Sequence, residues 1–136
     1  MRKYISQQEL NDVMENFISL AQTMMIFGLT GMAGALISIG MVIYLKVKWL
    51  LLLEDILDDG IRFYSLNIFL AGQGVLQYAT VFLSSFHAKR YGMLEKRNDV
   101  PKHVQRLFIF TFFVVITSFL LMILSFIILE NYIRPE

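Results

Sequence analysis

The sequence predicts an all-α membrane protein with three transmembrane helices and a short interfacial amphipathic helix between the first and the second. Residues 16–45, 63–86 and 107–129 each form a stretch of more than twenty residues without Asp, Glu, Lys, Arg or His. A bilayer core is about 30 Å thick, so a helix needs roughly 20 residues to cross it. We therefore expect one helical membrane domain, residues 1–136, with spans at about 17–45, 63–86 and 107–129.

The composition supports this class and argues against others. Hydrophobic residues make up 57% of the chain and charged residues 17%, whereas soluble domains carry about 25% charged residues. A net charge of +1 provides no broad basic field for nucleic acid. The absence of cysteine excludes disulfides, thiolate chemistry and cysteine-based metal sites.

The first span carries a row of small residues. A capping-box pattern, Ser6 followed by Glu9, predicts that its helix begins well before the apolar stretch. The small residues within one sector of about 120° are Gly28, Gly31, Gly34, Ala35 and Ser38. Such a face lets another helix approach closely in lipid. It is expected to contact either the other two spans or a docking protein, including a second copy of the chain.

Residues 49–62 are predicted to form the interfacial helix, with Trp49 as an anchor at its start. Its apolar side consists of Leu50, Leu53, Leu57, Ile61 and Tyr64. Its polar side consists of Glu54, Asp55, Asp58, Asp59 and Arg62. We expect the apolar side to face lipid and the acidic side to be solvated. The spacing leaves open whether the carboxylates hold a divalent cation or form an acid–base pair.

The second span is the most polar of the three. A narrow stripe contains Gln73, Gln77, Thr80, Ser84 and His87. Amides facing lipid would lack hydrogen-bond partners, so these side chains are expected to face protein or water. Hydrogen bonding between helices is the favoured interpretation. A solute or proton path and a contact with another membrane protein are the alternatives.

A basic segment separates the second and third spans. It contains Lys89, Arg90, Lys96, Arg97, Lys102 and Arg106, which are predicted to contact lipid head groups and to set the topology. With three crossings, eight Lys and Arg residues share the side of the N-terminus and four lie on the other. The positive-inside rule then predicts a cytoplasmic N-terminus and an external C-terminus.

The start of the third helix is marked by Asp99 and Pro101. Within the span, Thr111, Ser118 and Ser125 repeat every seven residues on one face, which suits close packing. The chain contains no nucleophile elbow, phosphate-binding loop or HExxH motif. We expect no enzymatic activity, no cofactor and no metal site.

Three segments resemble the universal stress protein B family of small bacterial inner-membrane proteins. They are residues 43–53 (IYLKVKWLLLL), 88–91 (AKRY) and 104–111 (VQRLFIFT). The Gly- and His-rich middle of that family is replaced here by the second apolar stretch. The resemblance implies a multi-pass protein of the bacterial inner membrane that is linked to stress physiology, and it carries over no catalytic residue.

Three functions are compatible with these features. The first is an accessory or stress-linked subunit that packs against other membrane proteins, with lipid and an integral membrane protein or a second copy as partners. The second is an immunity protein that blocks a pore-forming bacteriocin, since such proteins are similar in size and architecture. The third is a subunit of an oligomeric channel or transporter. Neither nucleic acid nor a soluble substrate is expected as a partner.

Overall fold

The computed structural model describes residues 4–134, and these residues form helices and connecting loops without a β-strand. Helix α1 covers Gln7–Leu45 and continues through a π-helical turn, Lys46–Leu50, into α2, Leu51–Leu57. Helices α3 and α4 cover Ile68–Leu83 and Ser85–Arg90. A 3-10 turn at Lys96–Asp99 precedes α5, Lys102–Ile133. The predicted all-helical class is confirmed.

The two longest helices, α1 and α5, begin where the sequence predicts. The backbone N–H of Glu9 donates to the Ser6 hydroxyl at 3.2 Å, and the N–H of Ser6 donates to the Glu9 carboxylate at 3.0 Å. This reciprocal pair is the predicted capping box, and it satisfies two backbone donors at the start of α1. Helix α5 begins directly after Pro101, where a proline is tolerated because the first helical N–H needs no partner.

Within the described residues, two helices are long and apolar enough to cross a membrane, Gln7–Leu57 and Lys102–Ile133. Only 11% and 6% of their most apolar windows are buried within the protein. The core helix of a soluble protein would be covered on most sides, whereas these helices expose their apolar surface. Their length and exposure support a membrane location, as expected from the sequence.

The chain divides into two compact units. The terminal unit comprises residues 4–33 and 118–134, and the central unit comprises Gly34–Thr117. In the terminal unit, α1 and α5 run antiparallel in close contact, and the Phe17 and Tyr132 rings lie 5.1 Å apart. In the central unit, an apolar core is formed by residues of α1 to α5, including Leu53, Val75 and Phe108, which are fully buried.

The second apolar stretch is not one continuous helix. Helix α3 has 16 residues and is about 24 Å long, which is less than the bilayer core requires. Asn67 caps its start by accepting from the N–H of Leu70 at 2.9 Å. At Ser84 the backbone is extended (φ −124°, ψ 119°), and this residue separates α3 from α4. The span predicted at 63–86 is therefore interrupted at both ends.

The segment predicted as an interfacial helix also differs from the expectation. It is the direct continuation of α1, and its helix ends at Leu57 instead of residue 62. Leu50, Leu53 and Leu57 are covered by the central core, whereas lipid was expected to cover them. Asp59 and Gly60 follow with positive φ angles of 54° and 84°, so the chain turns back sharply after the helix.

Candidate functional site: a buried carboxylate cluster

Glu54 is the centre of the most polar part of the central unit. Its side chain is 0% exposed, and its Oε1 atom accepts from the backbone N–H groups of Phe63, Tyr64 and Ser65 at 3.0, 2.6 and 3.0 Å. The expectation that Glu54 lies on a solvated face is therefore wrong. The physical reason is that the chain reverses at Gly60 and returns across α2, so three consecutive backbone donors cover the carboxylate.

The turn that produces this arrangement is itself built around Glu54. The backbone N–H groups of Asp58 and Gly60 both donate to the Glu54 carbonyl oxygen at 3.1 Å. Glycine is required at position 60 because its φ of 84° is strained for residues with a Cβ atom. Glu54 thus holds the returning loop with its backbone and its side chain, while its Oε2 atom is buried without a partner among residues 4–134.

A second layer of the cluster joins the loop to α3. The Tyr64 hydroxyl donates to the side-chain oxygen of Gln77. Burial, followed by the negative charge of Asp58, raises the pKa of the Tyr64 phenol, so this hydroxyl keeps its proton. A Cβ atom on Gly74 would lie 2.5 Å from the Cβ and Cγ atoms of Tyr64. Glycine at position 74 therefore permits the close approach of the tyrosine to the helix.

The remaining acidic residues each have a separate environment. The hydroxyl of the fully buried Tyr78 donates to Asp58. Asp59 pairs with Lys96 at 2.7 Å, and Asp55 lies 3.8 Å from Arg62, both near the surface. Within residues 4–134, no group of three or more His, Cys, Asp or Glu side chains is placed to hold a metal ion.

The polar residues predicted to form one stripe in the second apolar stretch do not share one environment: some are exposed, and others are half-buried. Gln77 forms the bond to Tyr64, whereas Gln73 is exposed. The Thr80 hydroxyl donates to the carbonyl oxygen of Gln77 at 2.7 Å within the same helix. Ser84 lies half-buried at the break between α3 and α4. His87 is exposed on α4.

The basic residues also fall into two groups. Arg97 donates to the Val81 carbonyl oxygen at 3.2 Å and to the Ser85 hydroxyl at 3.0 Å, so it joins α3 and α4 to the 3-10 turn. Gln105, which the sequence did not single out, donates to the carbonyl oxygens of Arg97 and Val100 at 2.8 and 2.9 Å. Of the six basic residues in the segment between the second and third apolar stretches, Lys89, Arg90, Lys102 and Arg106 are exposed.

Trp49 is half-buried within the π-helical turn. Its ring lies 5.5 Å from the His103 ring and 5.5 Å from the Lys48 ammonium nitrogen. The indole N–H is covered and donates to no acceptor in the described part of the chain. Trp49 therefore packs against α5, and it lies four residues beyond the end of the charge-free stretch 16–45, beside Lys46 and Lys48, as an interfacial residue would.

Two of the small residues of α1, Gly28 and Gly31, lie at its contact with α5. A Cβ atom on Gly31 would lie 2.8 Å from the Met122 Cγ atom and 3.2 Å from the Ser118 carbonyl oxygen. At Gly28 it would lie 3.2 Å from the Ser125 hydroxyl, which donates to the Met24 carbonyl oxygen at 3.0 Å. In the central unit, Gly34 and Ala35 are half-buried, and the buried Ser38 donates to the Gly34 carbonyl oxygen at 2.8 Å.

Together, these contacts form a hydrogen-bonded polar cluster in the central unit and a close contact between helices in the terminal unit. No protein family model, curated protein or solved structure matches this chain. The chemistry of the cluster and the exposed surfaces is therefore the basis for assigning a function.

Proposed function

We propose that this protein is a non-enzymatic membrane protein that acts by packing against other membrane proteins, as an accessory or stress-linked subunit. The observation that carries the proposal is the exposure of two long apolar helices, of which only 11% and 6% are buried in their most apolar windows. Apolar surface of this extent is stable against lipid or against the helices of another protein.

The use of the ionisable groups supports a structural role for the central unit. Glu54 accepts from three backbone donors, and Arg97 joins three segments of the chain. Asp58 accepts from Tyr78, and Asp59 pairs with Lys96. These groups fix the loops around α3, so their hydrogen-bonding capacity is used within the protein.

The proposal includes a topology with two crossings, by α1 and α5. Helix α3 is shorter than a span, and one of its faces is buried in the central core, including Val75 and Tyr78. Between the two crossings lie nine of the Lys and Arg residues, and three lie outside them. The positive-inside rule then favours cytoplasmic residues 46–106 in a bacterial inner membrane, with both ends outside. The three-crossing alternative puts the ends on opposite faces.

Cysteine accessibility tests the topology directly, because the natural chain has no cysteine. Single variants Ile5→Cys, His87→Cys and Arg134→Cys would be labelled in intact cells with a maleimide that does not cross the membrane. Two crossings predict labelling at positions 5 and 134 and protection at 87 until the cells are opened. Opposite behaviour of positions 5 and 134 would contradict this topology and support three crossings.

Co-purification tests the binding role. The tagged full-length chain would be extracted in mild detergent, and proteins that accompany it would be identified by mass spectrometry. We expect an integral membrane protein or a second copy to be retained in stoichiometric amount. Gly40 faces open space within the protein, so the larger side chain of Gly40→Leu meets no neighbour at its Cβ atom. If a partner binds at this position, Gly40→Leu should reduce the amount of partner that is retained. A chain that purifies alone and as a monomer would contradict the proposal.

Protection against a pore-forming bacteriocin is the second candidate, because the same exposed apolar helices could bind an incoming pore within the bilayer. Cells that express the chain would then survive a bacteriocin that kills the parent strain.

A channel or transporter subunit is tested by replacing Gln73 and Gln77 with Leu. Lost flux with intact assembly would favour a path for solute, whereas lost assembly would favour packing.

A further inference from the structure

We propose that the surface formed by α4 and the residue after it, 85–91, binds the anionic head groups of the membrane next to it. This inference rests on the membrane location proposed above and assigns this part of the central unit a ligand. Three features of the surface favour this ligand: its exposed side chains, the contacts that hold it in place, and its connection to the apolar part of α5.

The surface combines exposed aromatic and basic side chains. Phe86 is 71% exposed and Tyr91 is 49% exposed. His87, Lys89 and Arg90 are exposed between them. Aromatic rings and Lys or Arg side chains together are typical of the head-group region, where rings enter the boundary and cations attract anionic lipid. The net charge of Lys89 and Arg90 is therefore complementary to an anionic bilayer surface.

The surface is held in a fixed position. Ala88, on the opposite side of α4, is fully buried. Its carbonyl oxygen accepts from the N–H of Met93 at 2.8 Å. Arg97 donates to the Ser85 hydroxyl at the start of the same helix. These contacts orient Phe86, Lys89 and Arg90 outward without further folding, so binding costs little conformational entropy.

The helix that precedes this surface, α3, contacts the first residues of the charge-free stretch 107–129 of α5. Phe82, the penultimate residue of α3, lies with its ring 6.0 Å from the ring of Phe108. Phe108 is the second residue of the charge-free stretch 107–129. Where that stretch crosses the bilayer, Phe108 lies at the boundary, and α4 begins only three residues after Phe82. This continuity favours lipid as the occupant of the surface.

The test uses the full-length chain with His87→Cys as the only cysteine, in lipid nanodiscs of two compositions. One contains phosphatidylcholine alone, and the other contains phosphatidylglycerol as well. The rate of labelling by an uncharged, water-soluble maleimide is measured in both. Each basic residue contributes about a fivefold preference for an anionic surface, so we expect labelling to be about fivefold or more slower in the anionic discs. Asn98→Cys, at an exposed position in the 3-10 turn, corrects for general effects of surface charge.

Two charge variants complete the experiment. Lys89→Gln with Arg90→Gln should restore fast labelling in anionic discs. Arg62→Gln with Lys96→Gln removes the same charge from the ion pairs with Asp55 and Asp59, and it should leave the slow rate unchanged. Equal rates in both discs, or slow labelling that persists after Lys89 and Arg90 are neutralised, would overturn the inference. Protection in native membranes but not in anionic discs would identify a protein occupant instead and would also overturn it. A chain that fails to enter discs would contradict the membrane location itself.

Discussion

The terminal and central units of this protein are stabilised in different ways. In the terminal unit, α1 and α5 meet through small groups such as Gly31 and Ser125, while large apolar side chains point outward: Leu29 is 68% exposed and Phe119 is 65% exposed. In the central unit, large side chains such as Tyr78 are fully buried, together with Glu54. The first arrangement is stable in lipid, and the second is a core of the kind that soluble domains have.

The membrane location proposed above accounts for this difference. Lipid tails are as apolar as leucine, so helices in a membrane gain little from hiding apolar surface and associate through close contact instead. A core that contains a buried carboxylate is stable only when hydrogen bonds compensate for the loss of water. We therefore expect substitutions in the buried core of the central unit to have larger effects than those at the helix contact of the terminal unit, and surface substitutions to have the smallest.

The largest effect is expected for Glu54→Ala. This change removes the acceptor of three backbone N–H groups in a buried loop and should lower the free energy of unfolding by about 4 kcal/mol. Glu54→Gln keeps an acceptor oxygen and should cost less. Chemical unfolding of the full chain in detergent measures both, and Asp55→Ala at the exposed neighbouring position is the control. A Glu54→Ala chain as stable as the control would show that the cluster is not essential.

Gly74→Ala should have the next largest effect. The added Cβ atom would lie 2.5 Å from Tyr64 and would displace the ring from its bond to Gln77, at a cost of about 2–3 kcal/mol. Gly72→Ala is a matched control in the same helix, because no atom lies within 4 Å of its added Cβ. Alanine favours a helix over glycine by about 1 kcal/mol, so Gly72→Ala should be neutral or stabilising. Equal unfolding midpoints for the two variants would contradict this close approach.

In the terminal unit, Gly31→Ala should cost about 1–2 kcal/mol, because the Met122 side chain can move but the Ser118 carbonyl oxygen is part of a helix. Gly40→Ala is the control on the same helix, since open space surrounds that position. The comparison between the units is sharpened by measuring both in the same detergent. If Gly31→Ala proved more damaging than Glu54→Ala, the proposed order of the two units would be reversed.

The smallest effect is expected for Lys96→Gln. Lys96 pairs with Asp59 at 2.7 Å, but the Asp59 side chain is 77% exposed. Ion pairs at such surfaces contribute about 0.5 kcal/mol or less and are screened by salt. The natural chain and the variant should therefore unfold at nearly the same midpoint, and any difference should vanish in high salt. A loss comparable to that of Gly74→Ala would mean that this pair holds the turn at Gly60.

The features of the fold that could be predicted from the sequence are local. The capping box at Ser6 and the beginning of α5 after Pro101 depend on neighbouring residues, and the structure contains both. The two long apolar helices follow from the absence of charge over many residues. Each of these signals is complete within one segment of the chain.

The candidate site could not be predicted in the same way, because it depends on contacts between distant segments. Glu54 shares the polar side of the helical pattern with Asp55 and Asp58, and this position gave no sign that residues 63–65 would cover it. Likewise, the absence of charge in 63–86 predicts a span, although Asn67 caps a helix and Ser84 interrupts one. Asn67 and Ser84, polar residues within this apolar stretch, were the available signals of the helix ends. The close packing of Tyr64 against Gly74 could be seen only in the structure.

The π-helical turn at Lys46–Leu50 determines the direction of the side chains that follow it in α2. A π turn contains one residue more than an α-helical turn, so the side chains beyond it are rotated by about 100° relative to an uninterrupted α-helix. Deletion of a single residue here would leave a continuous α-helix, but the side chains of Leu53 and Glu54 would point in different directions. We therefore expect deletion of one residue from this segment to disrupt the central core as severely as replacement of a buried side chain.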